Sequence, residues 1–412
     1  MNDMTPPAAA DAPLQFNPLD PAFIADPYPF YRRLRETAPV FKAPQGFWLI
    51  TRYEDVALSL RDRRFGKDFV GNMERRYGDS SGMQEPAIAS LARTMLVLDP
   101  PDHTRLRGLV NKAFTARRVS DMRPRIKKLV DEQLDRVQGK GEMDVMRDLA
   151  HRLPVIVICD MLGIPEDHRA PFLAGSNVNG RILEPVPMTR EELDQANRNT
   201  EMAGAYFRQL CDLRRRDPQD DLTTELVRAE EAGDKLTAEE LEANIGLLFG
   251  AGHETTTNLI GNGLLALHRN PDQWERMKAD PDLIPNAVEE LLRYDSSVQL
   301  TGRVTHTEVE LGGVQIGPQE SVIALLGAAN RDPAQYPDPD RLDIGREHIR
   351  PMSFGGGIHH CLGAQLARLE AELVFAALVE RMPTLSLPEK DRPAWRRSFT
   401  LRGLSRLPAV WH

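Results

Sequence analysis

Nowhere do the 412 residues offer the eighteen or so consecutive apolar side chains that a membrane span requires. Cysteine is scarce. The three present, Cys159, Cys211 and Cys361, form an odd and scattered set that gives no disulfide framework. Basic residues do not exceed acidic ones: 52 Lys and Arg stand against 61 Asp and Glu, a net charge of -9. That balance opposes binding to nucleic acid or other phosphate-rich partners. The opening MNDMTPPAAADAPLQF has neither the basic start nor the apolar core of a signal peptide, so a cytoplasmic location is expected. No internal repeat occurs, and no linker isolates a second domain.

What is present is ordinary for a soluble enzyme, with 41% hydrophobic and 27% charged residues. Residues 1–20 read as a disordered Pro/Ala-rich tail and 21–412 as a single domain. DPYPFYRRLRETAPV predicts a short helix, and VFKAPQGFWLITRYEDV predicts two strands around a PQG turn, then a helix. Residues 66–98 read as a long loop or loosely helical segment. From 100 to about 280 the pattern is helical, with breaks expected at Pro154, Gly163-Ile164-Pro165, the LEPVPM run and Asp217-Pro218. The clearest helix lies between the capping-box pair Thr237 and Glu240 and the terminating Pro271. Strand patterns return at VELGGVQIG, with Gly312-Gly313 as a hairpin turn, and at SVIALLGAAN. The fold class expected is mainly α with a smaller β portion.

The stretch SFGGGIHHCLG, residues 353–363, sets three glycines and two histidines before Cys361 and a strongly helical run. A cysteine there is ordinarily a small buried hydrophobe. A helix N-terminus, however, offers unpaired N–H groups and partial positive charge that favour a thiolate, and glycines admit positive φ or a flat ligand. Zinc would need His359, His360 and Cys361 to converge, which three consecutive side chains do not readily do. Haem iron needs one axial atom. Phe354, Gly357, His359, Cys361 and Gly363 match F-x-x-G-x-[HR]-x-C-x-G, and the loop thereby resembles the haem-binding loop of the cytochrome P-450 superfamily, soluble bacterial type.

Other segments carry the same resemblance in the expected order. In AGHETT, Thr255 lies four residues after Ala251, so its hydroxyl can compete for that carbonyl and open the helix. The family's oxygen-binding groove sits at such a place, which makes Ala251 and Gly252 haem-facing, Glu254 the proton-relay acid and Thr255 the relay alcohol. The E-x-x-R pair Glu290 and Arg293 would by itself be a solvated salt bridge; in the family it is buried, with Arg341 fitting the third place. His103 and Arg107, one turn apart, resemble the propionate-binding helix, and Arg303 and His359 match further propionate contacts.

The resemblance implies a triangular helix-rich prism with a long central helix over haem b, bound through the Cys361 thiolate. It implies a monooxygenase inserting one atom of O2 into a C–H bond or double bond of a mainly apolar molecule such as a polyketide, terpenoid or steroid. Electrons would come from separate partners, a ferredoxin and its reductase, docking near Arg105, Lys112 and Arg368. A monomer is expected. The competing readings are a peroxide-driven haem-thiolate enzyme, which would not need Glu254 and Thr255, a haem-thiolate sensor, and a helical zinc protein. Pocket walls are expected from 66–98, 172–190, Asn244 to Ala251, Val298 to Thr301 and Ser398 to Leu401, with Asn72, Asn179, Asn244 and Gln299 among the polar lining. Arg181 reads as a surface residue, with pairing to a substrate carboxylate as the alternative.

Overall fold

The computed structural model describes residues 16–78, 80–174, 177–231 and 236–412. The expected tail lies mostly outside the described residues. Its last five residues are described, and Phe16 is already buried against the rings of Phe23, Phe30, Phe47 and Phe399. Aromatic area of this size outweighs the ordering cost of the segment that carries it.

Helices dominate, and the longest explains the layout. Ala238–Arg269 is capped by a complete Thr237/Glu240 capping box and ends at Asn270, before Pro271 opens the next helix. Its 32 residues extend about 48 Å, and from Thr256 to His268 it is buried on every face. It packs against Arg152–Leu162, Arg190–Arg216, Ile284–Tyr294 and Ala364–Arg381. Such a helix, buried all round in its second half, belongs to the core of a large helical body.

Pro154 does not break its helix. It is the third residue of Arg152–Leu162, inside the first turn where its missing N–H costs no bond, and the irregularity lies before it as a π-helical turn at Met146–Ala150. The other expected breaks occur: Gly163 caps at φ 72°, and Asp217 ends Arg190–Arg216. Residues 66–98 contain the helices Phe69–Tyr77 and Pro86–Leu91 with a 3-10 turn between.

The smaller β portion is a five-stranded sheet. Its order is Val40–Lys42, Trp48–Ile50, Ser321–Leu325, Leu300–Thr305, Phe65–Gly66, with only the 48–50/321–325 pair parallel. The hairpin Val309–Leu311/Val314–Ile316 turns through Gly312 and Gly313, both at positive φ. The sheet sets Arg303 beside the loop that precedes Phe69–Tyr77, and the Cys361 loop leans on the end of Tyr53–Arg61.

Candidate active site

Residues 355–363 form a loop that backbone geometry makes specific. The Cys361 N–H donates to the Phe354 carbonyl at 2.9 Å, closing the loop on itself. Gly357 has φ +63°, and a Cβ there would lie 2.0 Å from the Leu60 carbonyl oxygen. Its glycine is therefore required by a protein contact rather than by a flat ligand. Gly355 is also left-handed, whereas Gly363, the N-cap of Ala364–Arg381, has open space around its Cβ position. Phe354 lies under the Arg368 guanidinium at 4.5 Å.

Cys361 stands two residues before that cap and is exposed. Burial by the surrounding protein raises its thiol pKa, while the Gly363 N–H, Arg107 and Arg368 pull it down without overcoming that rise. The Gly363 N–H at the helix mouth and the two arginines favour the thiolate, and burial opposes it. Cys159 and Cys211 are buried and pushed up to about 12, which leaves Cys361 as the accessible sulfur among the described residues.

Beside the loop lies a cluster of basic groups. His103 is buried, and neither of its ring nitrogens has a hydrogen-bond partner among the described residues. The His359 ring sits 4.3 Å away, also with an unpartnered Nε2. Burial, then Lys67, Arg303, His103 and Arg107, drive the His359 pKa down to about 2. Arg303 is buried, bonds only to Thr301 Oγ1 and the Gly302 carbonyl, and is pushed down to about 10 by burial. Arg107 donates to the His360 carbonyl at 2.8 Å, tying the Asp102–Ala113 helix to the loop.

Lys67 is the member that sequence reading missed. Its ammonium reaches the Gly302 carbonyl at 3.2 Å, and burial followed by Arg303 holds its pKa well below the usual lysine range. Its signal is weak: one lysine before Asp68, inside a segment read as loop. The backbone bond from Lys67 N–H to Asp99 Oδ2 at 2.7 Å helps to fix its place. Three cations that meet neutral oxygens here, beside three histidine ring nitrogens without a partner among the described residues, suit an anionic ligand. The two carboxylates of haem would meet that demand, and the Cys361 thiol beside it would supply a ligand atom for the iron, so the residues fit the group.

Above the loop runs the exposed stretch of the long helix. Thr255 Oγ1 donates to the Ala251 carbonyl at 3.0 Å, as the spacing predicts, yet the helix stays α-helical throughout. Ala251 and Thr255 share one face, while Gly252, a turn of about 100° away, faces the Arg152–Leu162 helix with Ile158 3.6 Å from its Cβ position. Gly252 thus lies against that helix at an ordinary van der Waals distance. Glu254 is half-buried and accepts from Arg396 Nη1 at 3.3 Å; burial pushes its carboxyl up to about 7 against the opposing pull of Arg396.

Three expectations change. Arg341 contributes only its carbonyl to Arg293, and Arg346 donates to Glu290 Oε1 at 3.2 Å in the place assigned to it, because the turn at 343–346 brings the later arginine inward. Arg105 is bound by Glu240 and Asp102, and Arg368 by Glu289, so these cations, expected to attract an electron donor, are already paired. Asn179, Asn244 and Gln299, expected in the polar lining, bond to neighbouring side chains and carbonyls and so have structural roles.

Comparison with known proteins agrees with this geometry. The Cytochrome P-450 family model matches residues 186–402, just over half the chain. The 6-deoxyerythronolide B hydroxylase of Saccharopolyspora erythraea is 41% identical over 94% of this chain and 96% of its own. The Vitamin D(3) 25-hydroxylase of Pseudonocardia autotrophica is 42% identical over 94% of each chain. The structure of a myxobacterial cytochrome P-450, CYP267B1, in complex with myristic acid superposes with a TM-score of 0.87 at 38% identity, over 96% of this chain and 98% of that one. The chain belongs to the cytochrome P-450 family, whose members are haem-thiolate monooxygenases. No helix among the described residues is long and apolar enough to cross a membrane.

Proposed function

We propose that this cytochrome P-450 binds haem b through Cys361 and hydroxylates or epoxidises a mainly apolar small molecule, with electrons from a separate ferredoxin and its reductase. The observation that carries the reading is the cluster of Lys67, His103, Arg107, Arg303 and His359, with three unpartnered histidine ring nitrogens, placed beside an accessible cysteine. When bound, haem supplies reductive activation of O2 and transfer of one oxygen atom, with the thiolate raising electron density at iron.

The chain's own residues do the rest. The five basic groups hold the two carboxylates and orient the ring. Thr255 Oγ1, now spent on the Ala251 carbonyl, carries a proton on the face beside Ala251. Glu254, with a pKa of about 7, both accepts and releases a proton near neutral pH, and Arg396 fixes where its carboxyl waits. With Asn179, Asn244 and Gln299 consumed by structure, the remaining lining is more apolar than the sequence implied. Relatives named for a macrolactone and a vitamin D substrate support apolar substrates of moderate size.

The test is the absorption spectrum of the purified protein, then titration with macrolactones, steroids, terpenoids and fatty acids. A thiolate-haem band and a spin-state shift with one class are expected; no haem band after haem-replete expression refutes the reading. Thr255→Ala should divert reducing equivalents to peroxide or excess water, and full coupling in that variant removes Thr255 from proton delivery.

A further inference from the structure

Glu184 follows the turn Asn177–Leu183, is only 1% exposed, and reaches across to the loop between Arg396 and Gly403. Its Oε1 accepts from Ser398 Oγ at 2.6 Å, the Phe399 N–H at 3.0 Å and the Thr400 N–H at 3.1 Å. Thr400 Oγ1 in turn donates to the Leu183 carbonyl at 3.3 Å. One carboxylate thus clasps loop to turn. The loop is closed at its neck by the Arg396 N–H on the Gly403 carbonyl at 2.9 Å, and the Ser398 N–H donates to the Arg396 carbonyl at 3.0 Å, so holding 398–400 also holds Arg396. The turn has further ties: Arg76 donates to the Ile182 carbonyl at 2.8 Å, and Arg181, expected at the surface, is half-buried and bound to Glu192 Oε1 at 3.2 Å.

Both elements that Glu184 joins end on Glu254. From the loop, Arg396 Nη1 donates to Glu254 Oε1 at 3.3 Å. From the turn, Gly180 comes so close that a Cβ there would lie 3.1 Å from Glu254 Oε2 and 3.1 Å from Leu401 Cδ1. A guanidinium therefore holds one oxygen of Glu254 and backbone covers the other. Burial is the main cause of the raised Glu254 carboxyl; Arg396 opposes it, and the charge of Glu184 adds to it. His151 and His253 also feel the charge of Arg396, and burial lowers both, which leaves Arg396 and Glu184 as the charged groups facing Glu254. As a satisfied buried carboxylate Glu184 could serve stability alone. Its two tethered elements, however, meet on a titrating acid.

We propose that Glu184 is the positioning residue of the proton-carrying acid: by clasping the loop 396–403 to the turn 177–183 it holds Arg396 and the Gly180 backbone against the two carboxyl oxygens of Glu254. The inference rests on the proposed role of Glu254 and adds the group that sets its surroundings. Loosening the clasp lets water reach Glu254 and removes part of the burial that favours its protonated form. Glu254 then gives up its proton at lower pH and is mostly ionised at pH 7, with less proton left to donate.

Two variants separate the clasp from the charge. Glu184→Asp keeps the charge and shortens the reach, whereas Glu184→Gln keeps the Oε1 acceptor and removes the charge. In the haem-loaded full-length enzyme, the infrared carbonyl band of the protonated Glu254 carboxyl, identified by its loss in Glu254→Gln, is followed against pH. The parent midpoint should lie at about 7. In Glu184→Asp it should fall by about one unit or more, with more peroxide released per electron at pH 7, and in Glu184→Gln it should move less than half as far. Should Glu184→Asp not fold, Ser398→Ala, which deletes one bond of the clasp, takes its place with the same outcomes. A midpoint unmoved in Glu184→Asp makes Glu184 a structural tie, whatever the melting temperature does, and a midpoint moved as far by Glu184→Gln leaves only its charge; either overturns the proposal. The haem absorption band of the same sample keeps the two questions apart, since its absence refutes the monooxygenase function wherever the midpoint lies.

Discussion

Two buried clusters of charge in this molecule have opposite character. In one, Glu290 and Arg293 are fully buried, and every N–H of the Arg293 guanidinium is used: two bonds to Glu290, and one each to the carbonyls of Asn330, Pro339 and Arg341. Glu290 receives in addition the Asp343 N–H and Arg346. In the other, His103 and Arg303 are buried and His359 half-buried, yet among the described residues three ring nitrogens have no partner and Arg303 meets only neutral oxygens. The first cluster is complete within the chain; the second is complete only with an external anion. Burial thus marks both, and satisfaction separates the structural from the functional. Glu254 lies between, with one ion-pair partner at 3.3 Å.

Breaking the satisfied cluster should cost most. Arg293→Met leaves Glu290 buried and uncompensated, an expected loss of about 3–5 kcal/mol, read by denaturant unfolding; a loss below about 1 kcal/mol would show the cluster to be solvated in solution.

The intermediate case is read by pH. Glu254 titrates near 4.5 when unfolded and near 7 when folded, so the folded state holds its proton more tightly. The stabilisation is full below pH 4.5 and is lost as pH rises through 7, about 3 kcal/mol in all. Glu254→Gln should flatten the stability profile across that window, and an unchanged slope would assign the titration to another group.

The unsatisfied cluster should respond in the opposite sense to the satisfied one. Arg303→Met is expected to leave apo-protein unfolding within about 1 kcal/mol of the parent, while haem transfer to an acceptor protein speeds up by about tenfold. Strong apo destabilisation with unchanged haem retention would make Arg303 a structural residue.

Smallest is the contrast inside the first cluster. Arg346→Ala should cost about 1–2 kcal/mol through its bond to Glu290, whereas Arg341→Ala, which keeps the carbonyl that Arg293 uses, should stay within about 0.5 kcal/mol. Equal losses would restore Arg341 to the third place.

Some elements were legible because their determinants are local. The Thr237/Glu240 capping box, the Gly312-Gly313 turn and the Thr255 to Ala251 bond involve residues at most four apart, so spacing alone dictates them. Lys67 was not legible, because its neighbours Thr301 and Gly302 are more than two hundred positions away. Arg346 against Glu290, 56 positions apart, is non-local in the same way.

By itself the sequence determined the cysteine loop, the long capped helix with its acid and alcohol, and the mainly helical class with a small sheet, since each follows from periodicity, capping or a motif within about ten to thirty residues. Tertiary structure decided the rest. It showed that Gly357 is needed for the Leu60 carbonyl, that Gly252 faces Ile158, that burial raises both Cys361 and Glu254, and which donors lack partners. The physical reason is that desolvation and hydrogen-bond satisfaction depend on every group brought near by the fold, and no local pattern records who those neighbours are.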